Sequence, residues 1–317
     1  MPHHSRLAIL VGGGPAPGIN SVIGAATIRA VLGGVEVLGI QEGFRWLMRG
    51  DVQHVTPLTI EDVSRIHFQG GSVLGTSRAN PTKDPARLEA SLDALQRLGV
   101  DRLITIGGDD TAFSALRLQR HSGARLQVVH VPKTIDNDLD LPHGLSTFGY
   151  QTARHLGVEI VKNLMTDAKT TGRWYLILTM GRKAGHLALG IGKAAGATLT
   201  LIPEEFGAGP IRLAHVVDIL AGAIIKRLSQ GRPDGTAVLA EGLIEHLAPD
   251  DLATFGPVQR DEHDHLRLAD VDLAHAIKAR LGPRLRALGL EATAIVKDIG
   301  YELRCADPIP FDLEYTR

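Results

Sequence analysis

The hydrophobic residues of this chain fall into short runs, and most runs end directly at a glycine, a proline or an acidic residue. The runs are rich in β-branched residues and are too short for core helices. Because strands of a parallel sheet are buried on both faces, such runs predict a mainly parallel sheet. The predicted strands are Leu7–Val11, Val35–Ile40, Arg102–Ile106, Gln127–Val131, Trp174–Thr179, Thr198–Ile202, Gly235–Ala240 and Ala294–Val296.

Between the strands, apolar residues recur every three or four positions, which is the spacing of one helix face. The clearest predicted helix begins after the N-cap Asp84, has Pro85 in its first turn and ends at Gly99. Its predicted buried stripe is Leu88, Leu92 and Leu95. Further helices are predicted after Gly18, after Asp110, over Gly149–Met165 and over Ile211–Leu228. The alternation predicts an α/β fold, and 317 residues are enough for two domains.

Composition and charge exclude several classes of protein. The formal net charge is −1 and the isoelectric point is about 6.9, so we expect neither nucleic acid nor a membrane surface as partner. The single cysteine, Cys305, excludes an internal disulfide and fits a reducing compartment, which predicts a cytoplasmic protein. The first apolar run is too short for a secretory signal, and no stretch reaches the roughly eighteen apolar residues of a membrane-spanning helix.

Two predicted strand ends carry most of the candidate chemistry. One strand is followed by Gly107–Thr111, with Asp109 and Asp110, and another is followed by Pro132–Asp138, with Lys133 and two more aspartates. Ligands of parallel sheets bind beyond the carboxyl ends of the strands, so we expect both loops to face one crevice. Helix capping by Asp and Thr is the alternative for either loop alone. Two such loops and a lysine favour a site for phosphate and Mg²⁺.

Other polar segments are weaker candidates for a binding or catalytic site. Gly12–Gly18 precedes a predicted helix, which is typical of an anion site. The dinucleotide pattern G-x-G-x-x-G fails because Pro17 takes the third glycine position, so a dinucleotide-dependent oxidoreductase is a weak alternative. Glu42 follows the second strand, as a ribose-binding acid does, but a loop charge is the more common interpretation. Asp261–His265 contains five consecutive acids and histidines, whose side chains point apart, which predicts a solvated loop rather than a metal site.

The order of these motifs resembles that of the phosphofructokinases, and most closely that of their pyrophosphate-dependent branch. GGDDT at 107–111 and PKTIDND at 132–138 match family motifs, as do GGPAPG at 13–18, GGSVLGTSR at 70–78 and KDIGYELR at 297–304. The resemblance implies two α/β domains with mainly parallel sheets, facing an active-site cleft. Residues 1–138, rejoined by 304–317, would bind the phosphoryl donor and Mg²⁺, and residues 139–303 would bind fructose 6-phosphate.

The implied reaction is phosphoryl transfer from pyrophosphate to the 1-hydroxyl of fructose 6-phosphate, giving fructose 1,6-bisphosphate reversibly. The resemblance assigns Asp136 as general base and Asp109 as the Mg²⁺ ligand, acting through water, with Asp138 supporting either the base or the metal. Lys133 and Arg182 would offset the charge of the transferred group. The residues implied to bind the donor are Gly13, Gly14, Arg78, Gly108, Asp110 and Lys133.

The resemblance also implies a sugar-phosphate site, in which Glu241 accepts hydrogen bonds from hydroxyls, Tyr301 packs on the sugar and Arg304 holds the 6-phosphate. In many family members the residue matching Arg173 acts across a subunit interface, so we expect a homo-oligomer, either a dimer or a tetramer. His186, at a predicted helix start, is interpreted as a satisfied polar residue rather than a catalyst. The full implied set is Thr134, Asp136, Arg173, Met180, Gly181, Arg182, Glu241, Tyr301 and Arg304.

The choice of donor is predicted from two positions. Family members that use ATP tend to have glycine where this chain has Asp110 and Lys133, so pyrophosphate is the predicted donor and an ATP-dependent 6-phosphofructokinase is the alternative. A second alternative is a catalytically silent sugar-phosphate-binding protein. It arises because the family fold continues past the position of Arg317, through a helix and more strand that pack on both domains.

Overall fold

The computed structural model describes residues 5–207, 209–257, 268 and 271–317. The chain divides into two compact units, of which the first contains Met1–Ile135, Leu139–Thr152 and Arg304–Arg317, and the second Asp136–Asp138 and Ala153–Leu303. The sequence analysis expects a domain boundary between residues 138 and 139. In the structure, residues 139–152 belong to the first unit and residues 136–138 to the second. The Asp261–His265 segment lies outside the described residues.

Ten β-strands form two sheets within the described part of the chain. The first unit contains β1 Arg6–Val11, β2 Glu36–Ile40, β3 Val55–Pro57, β4 Arg102–Gly107, β5 Gln127–Thr134 and β6 Phe148–Gly149. The second unit contains β7 Trp174–Thr179, β8 Leu199–Leu201, β9 Gly235–Ala240 and β10 Ala294–Ile299. All neighbouring pairs are parallel except β2 and β3. The predicted α/β class with mainly parallel sheets is therefore confirmed.

The α-helices lie between these strands. Their bounds are α1 Ile19–Leu32, α2 Ile60–Val63, α3 Pro85–Arg97, α4 Asp109–Ser122, α5 Tyr150–Thr171, α6 His186–Ala195, α7 Leu213–Leu228, α8 Pro249–Ala253, α9 Leu273–Arg286 and α10 Pro310–Tyr315. Short 3₁₀ helices include Pro203–Phe206, Glu241–His246 and Tyr301–Leu303. No helix in the described ranges is long and apolar enough to cross a membrane.

Helix α3 forms as its sequence predicts. Asp84 Oδ1 accepts a hydrogen bond from the Ala86 backbone N–H at 2.9 Å, so Asp84 is the N-cap. The predicted leucine stripe is buried, and Gly99, at φ +68°, carries the chain into the left-handed conformation that ends the helix.

The six strands of the first sheet have the order β3-β2-β1-β4-β5-β6, with apolar clusters on both faces. One cluster packs Leu10 and Leu103 against Leu92 of α3, and the other packs Ile9 and Ile106 with Ile23 of α1. A central parallel sheet covered on both faces leaves the carboxyl ends of its strands open for polar loops. The segments directly after β1 and β4 carry four of the candidate donor residues, Gly13, Gly14, Gly108 and Asp110.

The second sheet has the order β10-β7-β9-β8, with every pair parallel. Thr179 at the end of β7 pairs with Ile299 of β10 and with Ala240 of β9. This register brings the ends of three strands level, so Met180, Glu241 and Gly300 follow side by side.

Two predicted strand ends are wrong by three residues, those of β10, which continues past Val296 to Ile299 alongside β7, and of β5. Strand β5 continues past Val131 through Pro132, Lys133 and Thr134, whereas the sequence pattern predicted a loop from Pro132. The cause is the short strand β6, because Phe148 pairs with Lys133 and Gly149 with Thr134. Lys133 and Thr134 therefore occupy ladder positions in a sheet.

Candidate active site

The backbone of the loop after β1 contacts the end of β4 and the segment at Ser77 closely. The Gly12 N–H donates to the Ile106 carbonyl at 2.8 Å, and the Gly13 N–H donates to the Ser77 carbonyl at 2.9 Å. A Cβ atom at Gly12 would lie 2.4 Å from Thr111 Oγ1, so the loop fits the first turn of α4 only without a side chain. Gly13 has φ +79°, a left-handed conformation that favours glycine.

The acids after β4 lie inside the first turn of α4. The N-cap of that helix is Gly108, which has no side chain, so neither Asp109 nor Asp110 is the cap. Carboxylates in the first turn interact favourably with the helix dipole. Asp109 is exposed, and hard carboxylate oxygens of this kind suit Mg²⁺, which is typically held by one or two carboxylates with water and phosphate oxygens. The described residues contain no group of three or more His, Cys, Asp or Glu placed to hold a metal by themselves.

Lys133 is buried, with 5% of its surface exposed. Its Nζ donates a hydrogen bond to the Gly14 carbonyl and would lie 3.5 Å from a Cβ placed on Gly13. The next residue, Thr134, accepts a hydrogen bond at its carbonyl from Thr147 Oγ1 at 2.7 Å. Pairing with β6 and contact with the glycine loop thus fix the end of β5.

Arg304 packs on the same glycine loop, and the backbone of Ser77 pairs with it. A Cβ on Gly14 would lie 3.4 Å from the guanidinium carbon of Arg304, so this arginine packs directly on the loop. Arg78 follows Ser77, whose carbonyl accepts the Gly13 N–H. The first unit therefore brings together Gly13, Gly14, Lys133 and Arg304. A buried ammonium group and a guanidinium beside a half-buried glycine loop suit a polyanionic ligand.

Glu42 has a structural role in the first unit. Its Oε2 accepts hydrogen bonds from Trp46 Nε1 at 2.9 Å and from Arg45 at 3.0 Å, and its carbonyl accepts one from Ser77 Oγ at 2.5 Å. Glu42 has φ +55°. These bonds hold the turn after β2 against the Ser77 segment, in agreement with its interpretation as a loop charge.

In the second unit, the loop after β7 is held by Glu241. Oε2 of Glu241 accepts hydrogen bonds from the backbone N–H groups of Gly181 at 3.0 Å and Arg182 at 3.3 Å. Arg182 has φ +50°, which a non-glycine residue rarely adopts. A Cβ on Gly242 would lie 2.8 Å from the Arg182 carbonyl, so the loop also packs on backbone. Glu241, expected to bind sugar hydroxyls, therefore also fixes the backbone at Arg182.

Two residues without a predicted binding role complete this loop. Glu204 Oε1 accepts a hydrogen bond from the Gly185 N–H at 2.8 Å. His186 Nδ1 lies 2.7 Å from the carbonyl oxygen of Asn137, which agrees with its interpretation as a satisfied polar residue. The position of Glu204, three residues after the end of β8, was the signal in the sequence that could have identified it.

The proposed general base lies in the segment that His186 contacts. Asp136 is 6% exposed and Asn137 has φ +55°. The second unit thus brings Asp136–Asp138 and the Met180–His186 loop together through the His186 contact. Tyr301 lies in the 3₁₀ helix after β10 and is 66% exposed, and the neighbouring Gly300 packs against the Met180 side chain.

Arg173 is the predicted site residue that its own unit does not bring to this loop. It precedes β7, whereas Met180 follows it, so a six-residue strand separates the two. At about 3.3 Å per residue, they lie more than about 20 Å apart. Arg173 Nε donates to Thr171 Oγ1 at 2.6 Å and lies 3.8 Å from Asp167 Oδ2. The Tyr175 hydroxyl donates to the same carboxylate at 2.6 Å, which raises the pKa of Tyr175.

Comparisons with known proteins agree on one family. The phosphofructokinase family model matches residues 6–314. The chain is 54% identical over 314 residues to pyrophosphate–fructose 6-phosphate 1-phosphotransferase of Thermotoga maritima, covering 98% of this chain and 75% of that protein. A protein of the same name from Naegleria fowleri is 51% identical over 320 residues, covering 98% of this chain and 73% of the relative.

A solved structure shows the same fold. Phosphofructokinase from Saccharomyces cerevisiae superposes with a TM-score of 0.77 at 26% identity. The match covers 98% of this chain but 40% of the yeast chain, so this protein spans less than half of that larger polypeptide.

Proposed function

The chain belongs to the phosphofructokinase family, and from that membership we propose that it transfers a phosphoryl group from pyrophosphate to the 1-hydroxyl of fructose 6-phosphate. The product is fructose 1,6-bisphosphate, and the reaction is reversible. The observation that carries the proposal is the placement of Lys133, which is 5% exposed and donates to the carbonyl of Gly14. A buried cation against a glycine loop suits the charge of pyrophosphate.

Transfer needs an acceptor for the hydroxyl proton and neutralisation of the charge on the moving group. Asp136 accepts the proton, with Asp138 as support. Lys133 and Arg182 offset the charge on the transferred phosphoryl group, and Arg78 reaches it. Asp109 would hold Mg²⁺, which when bound would supply further neutralisation of the phosphate oxygens.

The sugar phosphate is bound by the residues that match the sugar-phosphate site of the family. Arg304 holds the 6-phosphate through paired N–H donors, because a planar guanidinium matches a phosphate dianion. Tyr301 packs on the sugar, and Glu241 accepts hydrogen bonds from sugar hydroxyls while it holds the Gly181 and Arg182 amides. Thr134, Met180 and Gly181 complete the proposed site.

The position of Arg173 supports a homo-oligomer. Its side chain lies at the opposite end of β7 from Met180, so it reaches a sugar phosphate only in the site of a second copy of the chain. Sedimentation velocity tests this directly, because a protein that is monomeric at working concentrations while fully active would exclude the arrangement.

The negative charge of Asp110 determines the preference for pyrophosphate over ATP as phosphoryl donor. Family members that use ATP tend to have glycine there, which leaves space for the α-phosphate. A carboxylate places a negative charge beside that phosphate, and like charges at about 4 Å repel by roughly 4 kcal/mol at an effective dielectric of 20. Pyrophosphate has no third phosphate and avoids this repulsion, while Lys133 compensates the charge of the shorter polyanion.

Initial rates with pyrophosphate and with ATP, at saturating fructose 6-phosphate and Mg²⁺, test the proposal. We expect turnover with pyrophosphate and little with ATP. The double variant Asp110→Gly with Lys133→Gly should lose most of the preference for pyrophosphate over ATP. Each single variant controls for folding and shows how much of the preference depends on that one residue. Faster turnover with ATP in the wild type would support the ATP-dependent alternative. Binding of fructose 6-phosphate without turnover on either donor would support a silent binding protein.

A further inference from the structure

We propose that His186 is a positioning residue that holds the Asp136–Asp138 segment in its working conformation. The inference rests on the proposed function, because it takes Asp136 as the general base. It assigns a role to a histidine that the proposed reaction does not otherwise use.

The direction of the hydrogen bond follows from chemistry. His186 Nδ1 lies 2.7 Å from the carbonyl oxygen of Asn137, and a carbonyl oxygen only accepts hydrogen bonds. Nδ1 therefore carries the proton and donates it. A neutral imidazole with its proton on Nδ1 makes this bond, and so does the doubly protonated ring, so the contact does not require a change in protonation.

The backbone next to His186 is held by hydrogen bonds. His186 is the first residue of α6, and a hydrogen bond from Gly185 N–H to Glu204 Oε1 at 2.8 Å fixes the backbone immediately before it. Glu241 Oε2 fixes the start of the same loop at Gly181 and Arg182. An anchor on a helix terminus with a fixed backbone positions its partner better than a side chain on a mobile loop does.

The partner of His186 is a residue under conformational constraint. Asn137 has φ +55°, in the left-handed region that non-glycine residues occupy at a cost in energy. Such conformations persist where surrounding contacts hold them. Asn137 separates Asp136, which is 6% exposed, from Asp138, so a fixed Asn137 carbonyl sets the direction of the chain between the two acids.

The role of His186 is to place Asp136 rather than to exchange protons with the substrate. A base must lie within hydrogen-bond reach of the proton that it accepts, so small displacements reduce the rate of the chemical step. Loss of the His186 contact should lower kcat more than it raises the KM for fructose 6-phosphate or pyrophosphate.

The test uses three substitutions, of which two keep a side-chain nitrogen at different positions and the third has none. The side-chain nitrogen of asparagine lies near the position of Nδ1, and that of glutamine lies near the position of Nε2. His186→Asn should therefore rescue most of the turnover, whereas His186→Gln and His186→Ala should lower kcat about three- to tenfold, the size of effect expected from one lost hydrogen bond. His155→Ala, at an exposed histidine on α5, is the matched control.

Hydrogen–deuterium exchange of the wild type and the three variants gives a readout that does not depend on activity. Backbone amides of residues 136–140 should exchange faster in the Gln and Ala variants than in the wild type and the Asn variant, at equal melting temperature. Similar exchange and kcat in all four proteins would overturn the proposal, and so would loss of turnover in His186→Asn equal to that in His186→Gln. An inactive wild type refutes the proposed function instead, and native turnover in Asp136→Asn refutes the role of Asp136 as base. In either case the exchange data still decide whether His186 holds the Asp136–Asp138 segment.

Discussion

At the scale of single residues, three charged side chains are buried among the residues that the structure describes: Lys133, Asp136 and Asp312, each at most 6% exposed. Burying a charge is costly unless hydrogen bonds or ion pairs compensate it. Lys133 donates to Gly14, and Asp312 accepts bonds at the start of α5. The cost is consistent with specific roles for all three, and Asp136 is the proposed base.

Substitution of Asp136 by asparagine should remove base catalysis while leaving the binding of both substrates largely intact. The amide has nearly the same shape but does not accept the hydroxyl proton, and loss of a general base typically lowers the rate about 10²–10⁴-fold. Steady-state kinetics of Asp136→Asn in both directions of the reaction measure kcat and KM separately. Near-native turnover in this variant would exclude Asp136 as the base.

Substitution of Arg304 by alanine should raise the KM for fructose 6-phosphate at least about tenfold, because a hydrogen bond to a charged group contributes about 1.5–3 kcal/mol. The guanidinium packs on Gly14, so the same variant also reports on the donor loop. We expect a much smaller change in the KM for pyrophosphate. Equal changes for both substrates would place Arg304 in the donor site.

At the scale of elements, the start of α5 depends on a residue far away in the sequence. Asp312 of α10 accepts hydrogen bonds from the Gly149 N–H at 3.0 Å, the Thr152 N–H at 2.8 Å and Thr152 Oγ1 at 2.6 Å. Thr152 Oγ1 in turn accepts one from the Ile309 N–H at 3.0 Å. Gly149 belongs to β6, which pairs with the end of β5. The C-terminal helix therefore supports the strand that carries Lys133.

Asp312→Ala should lower the free energy of unfolding by about 3 kcal/mol or more, because it leaves several buried donors without an acceptor at about 1–3 kcal/mol each. Asp84→Ala is the matched control, since it removes an exposed cap from α3 and should cost only about 1 kcal/mol. Urea unfolding followed by circular dichroism measures both. Equal, small losses in the two variants would show that the Asp312 bonds contribute little.

At the scale of the whole molecule, the stability of the fold should depend on pH through His130. Burial lowers the pKa of this histidine below its ordinary value of 6.5, and Lys133 lowers it further, while a hydrogen bond with Gly107 opposes the shift. Above the ordinary value both folded and unfolded chains are neutral at this position. As the pH falls below it, the unfolded chain binds a proton that the folded chain does not, so stability decreases until the folded pKa is reached.

His130→Asn should reduce this loss of stability on acidification. Asparagine retains a side-chain nitrogen near the position of Nδ1, which contacts Thr105 Oγ1 at 2.9 Å, but it does not titrate. The free energy of unfolding, measured by urea titration at about pH 7.5 and about pH 5.5, gives the difference between variant and wild type. A difference that is independent of pH would contradict the effect, and His155→Asn controls for the loss of an exposed histidine.

The sequence by itself determined eight of the ten described strands, though not all their bounds, together with the start and end of α3 and most of the polar loops. Strands β7 and β9 have the predicted bounds, and α3 has the predicted cap, stripe and end. These features depend on residues close together in the chain, where apolar spacing and turn chemistry act locally. The glycine loops after β1 and β4 were found for the same reason, since each follows its strand directly.

Tertiary structure decided the features that join distant segments. Strand β5 extends to Thr134 because β6 pairs with it, and Asp312 is buried because Gly149 and Thr152 donate to it. The contact of His186 with Asn137 spans 49 positions, and local periodicity does not encode such a pairing. The separation of Arg173 from Met180 likewise follows from the strand between them being fully extended. Residue types and spacing identify candidate groups, but packing in three dimensions determines which of them meet.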